Sequence, residues 1–241
     1  KVLFEIKENG EIVKAEMTNK KITSTLKVTK NDEDETLLSG IKFGVYNLED
    51  KLISEHTTDE KGYFEVVLEY GKYYFKEIST LDSYVLNDEK VHFEVKEEGA
   101  VIEKSMTNKF KTGTLEFTKT DLVNGEVIPN TLIEVYNSND ELVFSGKTDE
   151  NGKVIIEELR YGKYYILEKE APEGYILTEE KMAFEILEDG EIVKATMVNE
   201  KVVVEVPNTG LNDYFVLEII SGLLILSGIG VIIYAKKKNK K

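Results

Sequence analysis

The sequence predicts an all-β protein, tandem β-sandwich domains followed by a single C-terminal transmembrane helix. Three observations carry that prediction. A segment of about ninety residues recurs along the chain. Each copy breaks into short alternating runs rich in Val, Ile, Phe, Tyr and Thr. The C-terminal end reads as a turn, an apolar span and a lysine cluster.

The repeat is visible in three matching stretches, FEIKENGEIVKAEMTNKK at 4–21, FEVKEEGAVIEKSMTNKF at 93–110 and FEILEDGEIVKATMVNEK at 184–201. Residues 1–19 are therefore expected to be the closing hairpin of a repeat that begins upstream, and the chain to be the C-terminal part of something longer. Two full repeats follow, 20–109 and 110–200. Within them STLKVTKND (24–32) corresponds to GTLEFTKTD (113–121), and GIKFGVYN (40–47) to NTLIEVYN (130–137). TTDEKG (57–62) corresponds to KTDENG (147–152), and YGKYYFKE (70–77) to YGKYYILE (161–168). The repeats abut at Asn108–Lys111 without a linker, which predicts a stiff series of domains.

Between turn-rich pieces such as DEKG, DENG and EDG lie runs of five to eight residues. LKVTK, FGVYN, YFEVVLE, KYYFKEI, VHFEVKE and IEKSMTN favour strands over helices, because β-branched and aromatic residues alternate with polar ones. About seven such strands per repeat predict a sandwich with antiparallel pairing.

Side chains two apart on a strand share a face. Leu26, Val28 and Lys30 share one, as do Leu115, Phe117 and Lys119. Tyr73, Phe75 and Glu77 line up, as do Tyr164, Ile166 and Glu168. In the closing strands the rows are Ile102, Met106 and Asn108, then Val193, Ala195, Met197 and Asn199. Each repeat thus points a Lys, a Glu and an Asn inward at the end of an apolar row. Alone, each would be costly to bury; grouped, they satisfy one another. Burial favours the neutral forms of amine and carboxyl. A neutral amine held against an amide carbonyl can attack it, with the carboxyl moving protons, to leave a Lys–Asn isopeptide bond and free ammonia. A packed core would supply the orientation.

The residues that carry this chemistry resemble those of the Cna-B (SpaA-type, prealbumin-like) domains of Gram-positive adhesins and pilins. The resemblance covers roughly residues 1–200 and rests on a first-strand Lys-x-Asp, an E-box of the form YxxxExxAPxGY, and a last-strand Asn. YYILEKEAPEGY (164–175) matches the E-box, including Ala171, Pro172, Gly174 and Tyr175. The earlier repeat reads ISTLDSY after Glu77 and lacks the Ala-Pro and the Gly. The resemblance implies self-catalysed crosslinks Lys119–Asn199 with Glu168 and Lys30–Asn108 with Glu77, and for Asn19 a lysine partner outside this sequence.

Residues 201–213 read as a linker containing VPNTG, at Val206, Pro207, Asn208, Thr209 and Gly210. Pro207 fixes φ and the next three residues are turn formers, so the pentapeptide should be extended and reachable. Residues 214–235 then run apolar with one charge, Glu218. As a helix rising about 1.5 Å per residue they would be roughly 33 Å long, enough to cross a bilayer's hydrocarbon core. Residues 236–241 are a lysine cluster, which marks the cytoplasmic side. Motif, span and basic tail together resemble the sorting signal of Gram-positive surface proteins, whose pattern is LPxTG; Val206 stands where that pattern has Leu. The resemblance implies cleavage by a sortase between Thr209 and Gly210. It also implies attachment of Thr209 to peptidoglycan, after transient residence of the precursor in the membrane.

The formal net charge is −15, although five of the 31 Lys and Arg residues lie in the last six positions. So acidic a chain argues against binding nucleic acid or an anionic membrane surface. There is no cysteine, hence no disulfide. His56 and His92 stand alone in positions that do not correspond. The run Asn31-Asp32-Glu33-Asp34-Glu35 lacks the spacing and glycine of an EF-hand loop and reads as a solvated turn. The Tyr73-Tyr74 and Tyr164-Tyr165 pairs are expected to place one ring in and one out. No metal, no cofactor and no enzymatic activity beyond self-crosslinking are expected. The reading is a cell-wall stalk that holds an upstream adhesive region, with a host-surface ligand, away from a Gram-positive cell. The alternatives are a sortase-linked pilin subunit and the spacer of a wall-anchored enzyme; no segment resembles the YPKN pilin motif.

Overall fold

The computed structural model describes residues 1–203. The expected motif at Val206–Gly210, the span 214–235 and the tail 236–241 lie outside the described residues. Among the described residues no helix is long and apolar enough to cross a membrane. The chain divides into two units, Lys1–Lys109 and Phe110–Lys241.

In the first unit the strands are β1 (Thr23–Asp32), β2 (Lys42–Asn47), β3 (Leu52–Thr57), β4 (Tyr63–Glu69), β5 (Gly71–Ser79), β6 (Val91–Val95) and β7 (Val101–Asn108). They form a three-stranded sheet in the order β4-β1-β7 and a four-stranded sheet in the order β3-β2-β5-β6. β1 shows why: every second residue is buried along its whole length, from Ser24 to Asp32. Leu26, Val28 and Phe64 of one sheet and Phe43, Val45, Phe75 and Val95 of the other are buried. The Phe43 and Phe64 rings lie 5.3 Å apart, and the Phe43 and Phe75 rings 5.9 Å.

The second unit repeats the plan with β8 (Thr112–Asp121), β9 (Leu132–Asn137), β10 (Leu142–Lys147), β11 (Lys153–Arg160), β12 (Gly162–Glu170), β13 (Met182–Ile186) and β14 (Glu191–Asn199). Its sheets are β11-β8-β14 and β10-β9-β12-β13. Leu115, Phe117, Val193, Ala195 and Met197 of the first sheet pack with Ile133, Val135, Ile166, Phe184 and Ile186 of the second in one apolar cluster.

Antiparallel pairing, expected throughout, does not extend to the first and last strands of each repeat. β1 and β7 run parallel, with Lys30 opposite Met106 and Asp32 opposite Asn108. β8 and β14 do the same, with Lys119 opposite Met197 and Asp121 opposite Asn199. The closing strand is reached only after the chain has passed through the other sheet, so no hairpin forces the two to run in opposite directions. β3 (LISEHT) and β10 (LVFSGK), which none of the runs quoted above covers, are sheet edges with little burial, and alternation is weak there.

Residues 1–22 contain a turn, with Glu11 N donating to Glu8 O at 3.2 Å, but no strand. The expected closing hairpin is also not what the matching segments form in the two repeats: β6 pairs with β5 and β7 with β1, in different sheets, and β13 and β14 divide between β12 and β8 in the same way. Asn19 is exposed.

Candidate functional site

Each repeat buries a Lys, a Glu and an Asn at one end of its sandwich. The first strand delivers the lysine at the end of its inward row, so Lys30 and Lys119 follow Val28 and Phe117 into the core. Both are 0 % exposed, among the largest fully buried side chains of the protein. The closing strand, parallel to the first and level with it, delivers Asn108 and Asn199. The glutamate arrives from the opposite sheet. Glu77 sits just before a break in the pairing of β2 with β5, and Glu168 just before one in the pairing of β9 with β12. At such irregularities a strand bends and re-aims its side chains.

In the second unit the three groups form a closed ring. Lys119 Nζ donates to Asn199 Oδ1 at 2.6 Å and stands 3.2 Å from Glu168 Oε2. Asn199 Nδ2 donates to Glu168 Oε1 at 2.6 Å. One carboxylate oxygen thus faces the incoming nitrogen and the other the leaving nitrogen. Burial pushes the Lys119 amine down from its ordinary range to about 8, with Glu168 partly opposing the shift. That brings neutral, nucleophilic amine within reach near neutral pH.

The first unit assembles the same residues with looser contacts. Lys30 Nζ donates to Met106 O at 3.2 Å and lies 3.5 Å from Glu77 Oε2. Asn108 Nδ2 is shared between Glu77 Oε1 and Thr80 Oγ1, both at 2.8 Å, and Asn108 Oδ1 has no hydrogen-bond partner. Burial lowers the Lys30 pKa to about 8 as well, against the attraction of Glu77 and Asp32.

The aspartate of each Lys-x-Asp is buried and holds the turn that leaves the first strand. Asp32 Oδ1 accepts the backbone N–H groups of Asp34 and Thr36, and Asp32 Oδ2 accepts the Tyr84 hydroxyl at 2.9 Å. The acidic run at 31–35 is therefore not a wholly solvated turn, because Asp32 is drawn inside as its anchor. Asp121 Oδ1 accepts the N–H groups of Val123 and Asn124, while Lys201 stands 3.2 Å from Oδ2. Those two N–H groups, with Lys201 nearby, hold the Asp121 carboxyl below the usual carboxylate range.

The E-box loop closes over the end of β14. Tyr175 N donates to Pro172 O, Ile176 N to Glu200 O and Val202 N to Gly174 O. The ISTLDSY loop of the first unit makes the matching turn without Ala, Pro or Gly, with Tyr84 N bonded to Leu81 O and Val85 N to Lys109 O.

Two residues at the site were not read from the sequence, Thr80 and Thr178. Thr178 N donates to Glu168 Oε2 at 3.1 Å, and its hydroxyl to Asn199 Oδ1 at 2.6 Å. No pattern marks them, because a lone threonine in a polar loop has no periodic neighbour. The tyrosine pairs differ in detail from one in and one out. Tyr74 is buried on the outer side of its sheet by stacking on Tyr46, with its hydroxyl on Asp50 and Lys90 over its ring. His56 stacks on Phe64 and its pKa is lowered by burial.

The family profile of the SpaA prealbumin-like fold domain matches twice, at residues 24–110 and 113–201. The chain belongs to the SpaA-type prealbumin-like family. Among solved structures, the Bacillus anthracis TIE protein is similar to this SpaA-type chain at 40 % identity, with a TM-score of 0.69 over 75 % of this chain. The chain spans 35 % of that protein's length. The C-terminal fragment of the pilus adhesin SpaC from Lactobacillus rhamnosus GG shares the fold at 12 % identity and a TM-score of 0.52, covering 78 % of this chain and 100 % of that one. No curated protein matches the chain.

Proposed function

We propose that the chain is the stalk and wall anchor of a Gram-positive surface protein, stiffened by Lys119–Asn199 and Lys30–Asn108 isopeptide bonds and joined to peptidoglycan by a sortase through Thr209. The observation that carries this reading is the closed ring of Lys119, Glu168 and Asn199, each no more than 4 % exposed, in which the glutamate of the opposite sheet bridges the first and last strands.

The ring supports a balanced reaction. Neutral Lys119 Nζ attacks Asn199 Cγ and forms the new C–N bond. The adduct gives a proton to Glu168 Oε2, and the carboxyl returns one to Nδ2. The Cγ–Nδ2 bond then breaks and ammonia leaves. No co-reactant is needed.

Parallel opening and closing strands give the bond its mechanical sense. Tension entering at Thr23 or Thr112 travels along the first strand to its lysine. It then crosses to the asparagine at the end of the closing strand, so the covalent path bypasses the remaining strands. SpaA-type family membership supports a tension-bearing part. The motif, span and basic tail support the wall attachment.

Two measurements test the reading. The intact mass of the chain should fall short of the sequence mass by one ammonia per bond. A muralytic digest of a wall that displays the chain should release it as single species bearing wall fragments. A ladder of high-mass species would make it a pilin subunit instead, and a mass equal to the plain sequence would remove the crosslinks.

A further inference from the structure

We infer that Thr178 is a catalytic residue of the second crosslink, the donor that stabilises the oxyanion on Asn199 Oδ1, and that Asn87 deprives the first crosslink of that donor. The inference rests on the Lys–Asn reading above and adds a residue to it.

Positions 87 and 178 occupy the same place in the two units. Each follows the turn that bonds Val85 N to Lys109 O, or Ile176 N to Glu200 O. Each also reaches the carbonyl one residue before the crosslinking asparagine. Asn87 Nδ2 donates to Thr107 O at 3.1 Å, and Thr178 Oγ1 lies 3.3 Å from Val198 O. There the likeness stops. Thr178 Oγ1 is 2.6 Å from Asn199 Oδ1, and a hydroxyl has one proton to give, which belongs to the shorter contact. Asn108 Oδ1 has no hydrogen-bond partner.

The chemistry makes that difference matter. In the resting ring Asn199 Oδ1 also accepts from Lys119 Nζ. As Nζ moves onto Cγ it gives up that hydrogen bond, while the carbonyl oxygen takes on the negative charge of the tetrahedral adduct. The Thr178 hydroxyl is then the donor left on the oxygen, beside three reacting side chains that are themselves buried, where such a contact counts most. Thr178 N, bonded to Glu168 Oε2, fixes the same residue against the proton carrier. In the first unit Thr80 takes the opposite role. Its oxygen accepts from Asn108 Nδ2, which steadies the leaving nitrogen and leaves the carbonyl oxygen without help.

The test follows both bonds in one chain. Full-length protein is recovered in denaturant before crosslinking, refolded, and sampled over time by peptide mass mapping, which assigns each lost ammonia to its lysine. Expected are a faster bond at Lys119 than at Lys30, a slowing of the Lys119 bond by about 100-fold or more in Thr178→Val, and a near-normal rate in Thr178→Ser. Asn87→Thr should accelerate the Lys30 bond and leave the Lys119 bond unchanged. A Thr178→Val chain that crosslinks as fast as the parent overturns the assignment to Thr178 and leaves the Lys–Asn reading standing. If Thr178→Val does not refold, Asn87→Thr decides, an unchanged Lys30 rate overturning the inference. Wild-type chain that loses no ammonia at either lysine overturns both readings together.

Discussion

Lys119 Nζ lies 2.6 Å from Asn199 Oδ1 across the parallel pair β8 and β14, although the two stand 80 positions apart in the chain. Glu168 touches both nitrogens, so its removal should stop the reaction without emptying the site. Glu168→Gln keeps the shape and one acceptor but cannot carry a proton. Its intact mass should exceed that of the parent by one ammonia, beyond the change due to the substitution, while the Lys30–Asn108 bond is retained. Peptide mapping checks which bond is missing. Loss of both, or of neither, contradicts the assignment.

Both reacting lysines have folded-state pKa values lowered by burial to about 8. The amine attacks only when neutral, so the rate of crosslinking in refolding chain should rise about tenfold per pH unit below about 8 and level off above it. The groups facing Lys119 are Glu168 and Asn199; those facing Lys30 are Glu77 and, beyond it, Asp32. Stability before crosslinking carries the same sign. Between about 8 and the ordinary lysine value of 10.5 the unfolded chain holds more protons than the folded one, so stability rises with pH through that window. Denaturant melts of an Asn199→Ala, Asn108→Ala chain, which cannot crosslink but keeps both carboxylates beside the lysines, should show that rise, and the lysine contribution should be absent from crosslinked wild type, whose lysines no longer titrate.

Much of this site was legible because strands have a period of two. Once Leu115 and Phe117 face inward, Lys119 must follow them, and the same rule places Glu168 behind Ile166 and Asn199 behind Met197. The register that brings the three rows level is not in that pattern. It depends on β8 and β14 running parallel, a relation set by the path of the whole chain between them. Asp32 was misread because the inward row was ended at Lys30; carrying the period of two one step further places it inside, where the turn's hydrogen bonds hold it. Thr178 was invisible because its role comes from a loop folding back, and loops have no period.

The turn behind each lysine is the tightest part of the backbone near the site. Lys119 N donates to Gly152 O at 2.7 Å, and Gly152 has φ +67°, a left-handed conformation that other residues adopt poorly. A Cβ at Gly152 would stand 2.7 Å from Lys119 O and 3.0 Å from Ile128 N, both backbone atoms that cannot step aside. Gly152→Ala should therefore destabilise the second unit by about 1–3 kcal/mol. It should also slow the Lys119 bond by shifting the strand that carries it. Gly174→Ala has the open space that Gly152 lacks, with φ +88° and no atom near its Cβ, so it should leave that bond's rate closer to normal. Melting curves and peptide mapping of the two variants check the contrast.

Closing a loop of 80 residues should, by analogy with the chain-entropy estimate for disulfides, stabilise the folded unit by about 4–5 kcal/mol. That is comparable to a large share of a small domain's whole margin. The effect under load should be larger, because the bond lies on the path of force rather than beside it. β8 and β14 are parallel, so pulling on the start of one and the end of the other shears the pair along its length. The Lys119–Asn199 bond spans that shear near its exit. Single-molecule pulling on wild-type chain should extend each crosslinked repeat by no more than the residues outside its bond, leaving about eighty residues unstretched. Glu168→Gln should release that hidden length in a discrete step from the second unit alone. A wild-type chain that gives the full contour length of both units would show that tension is not carried through the lysines.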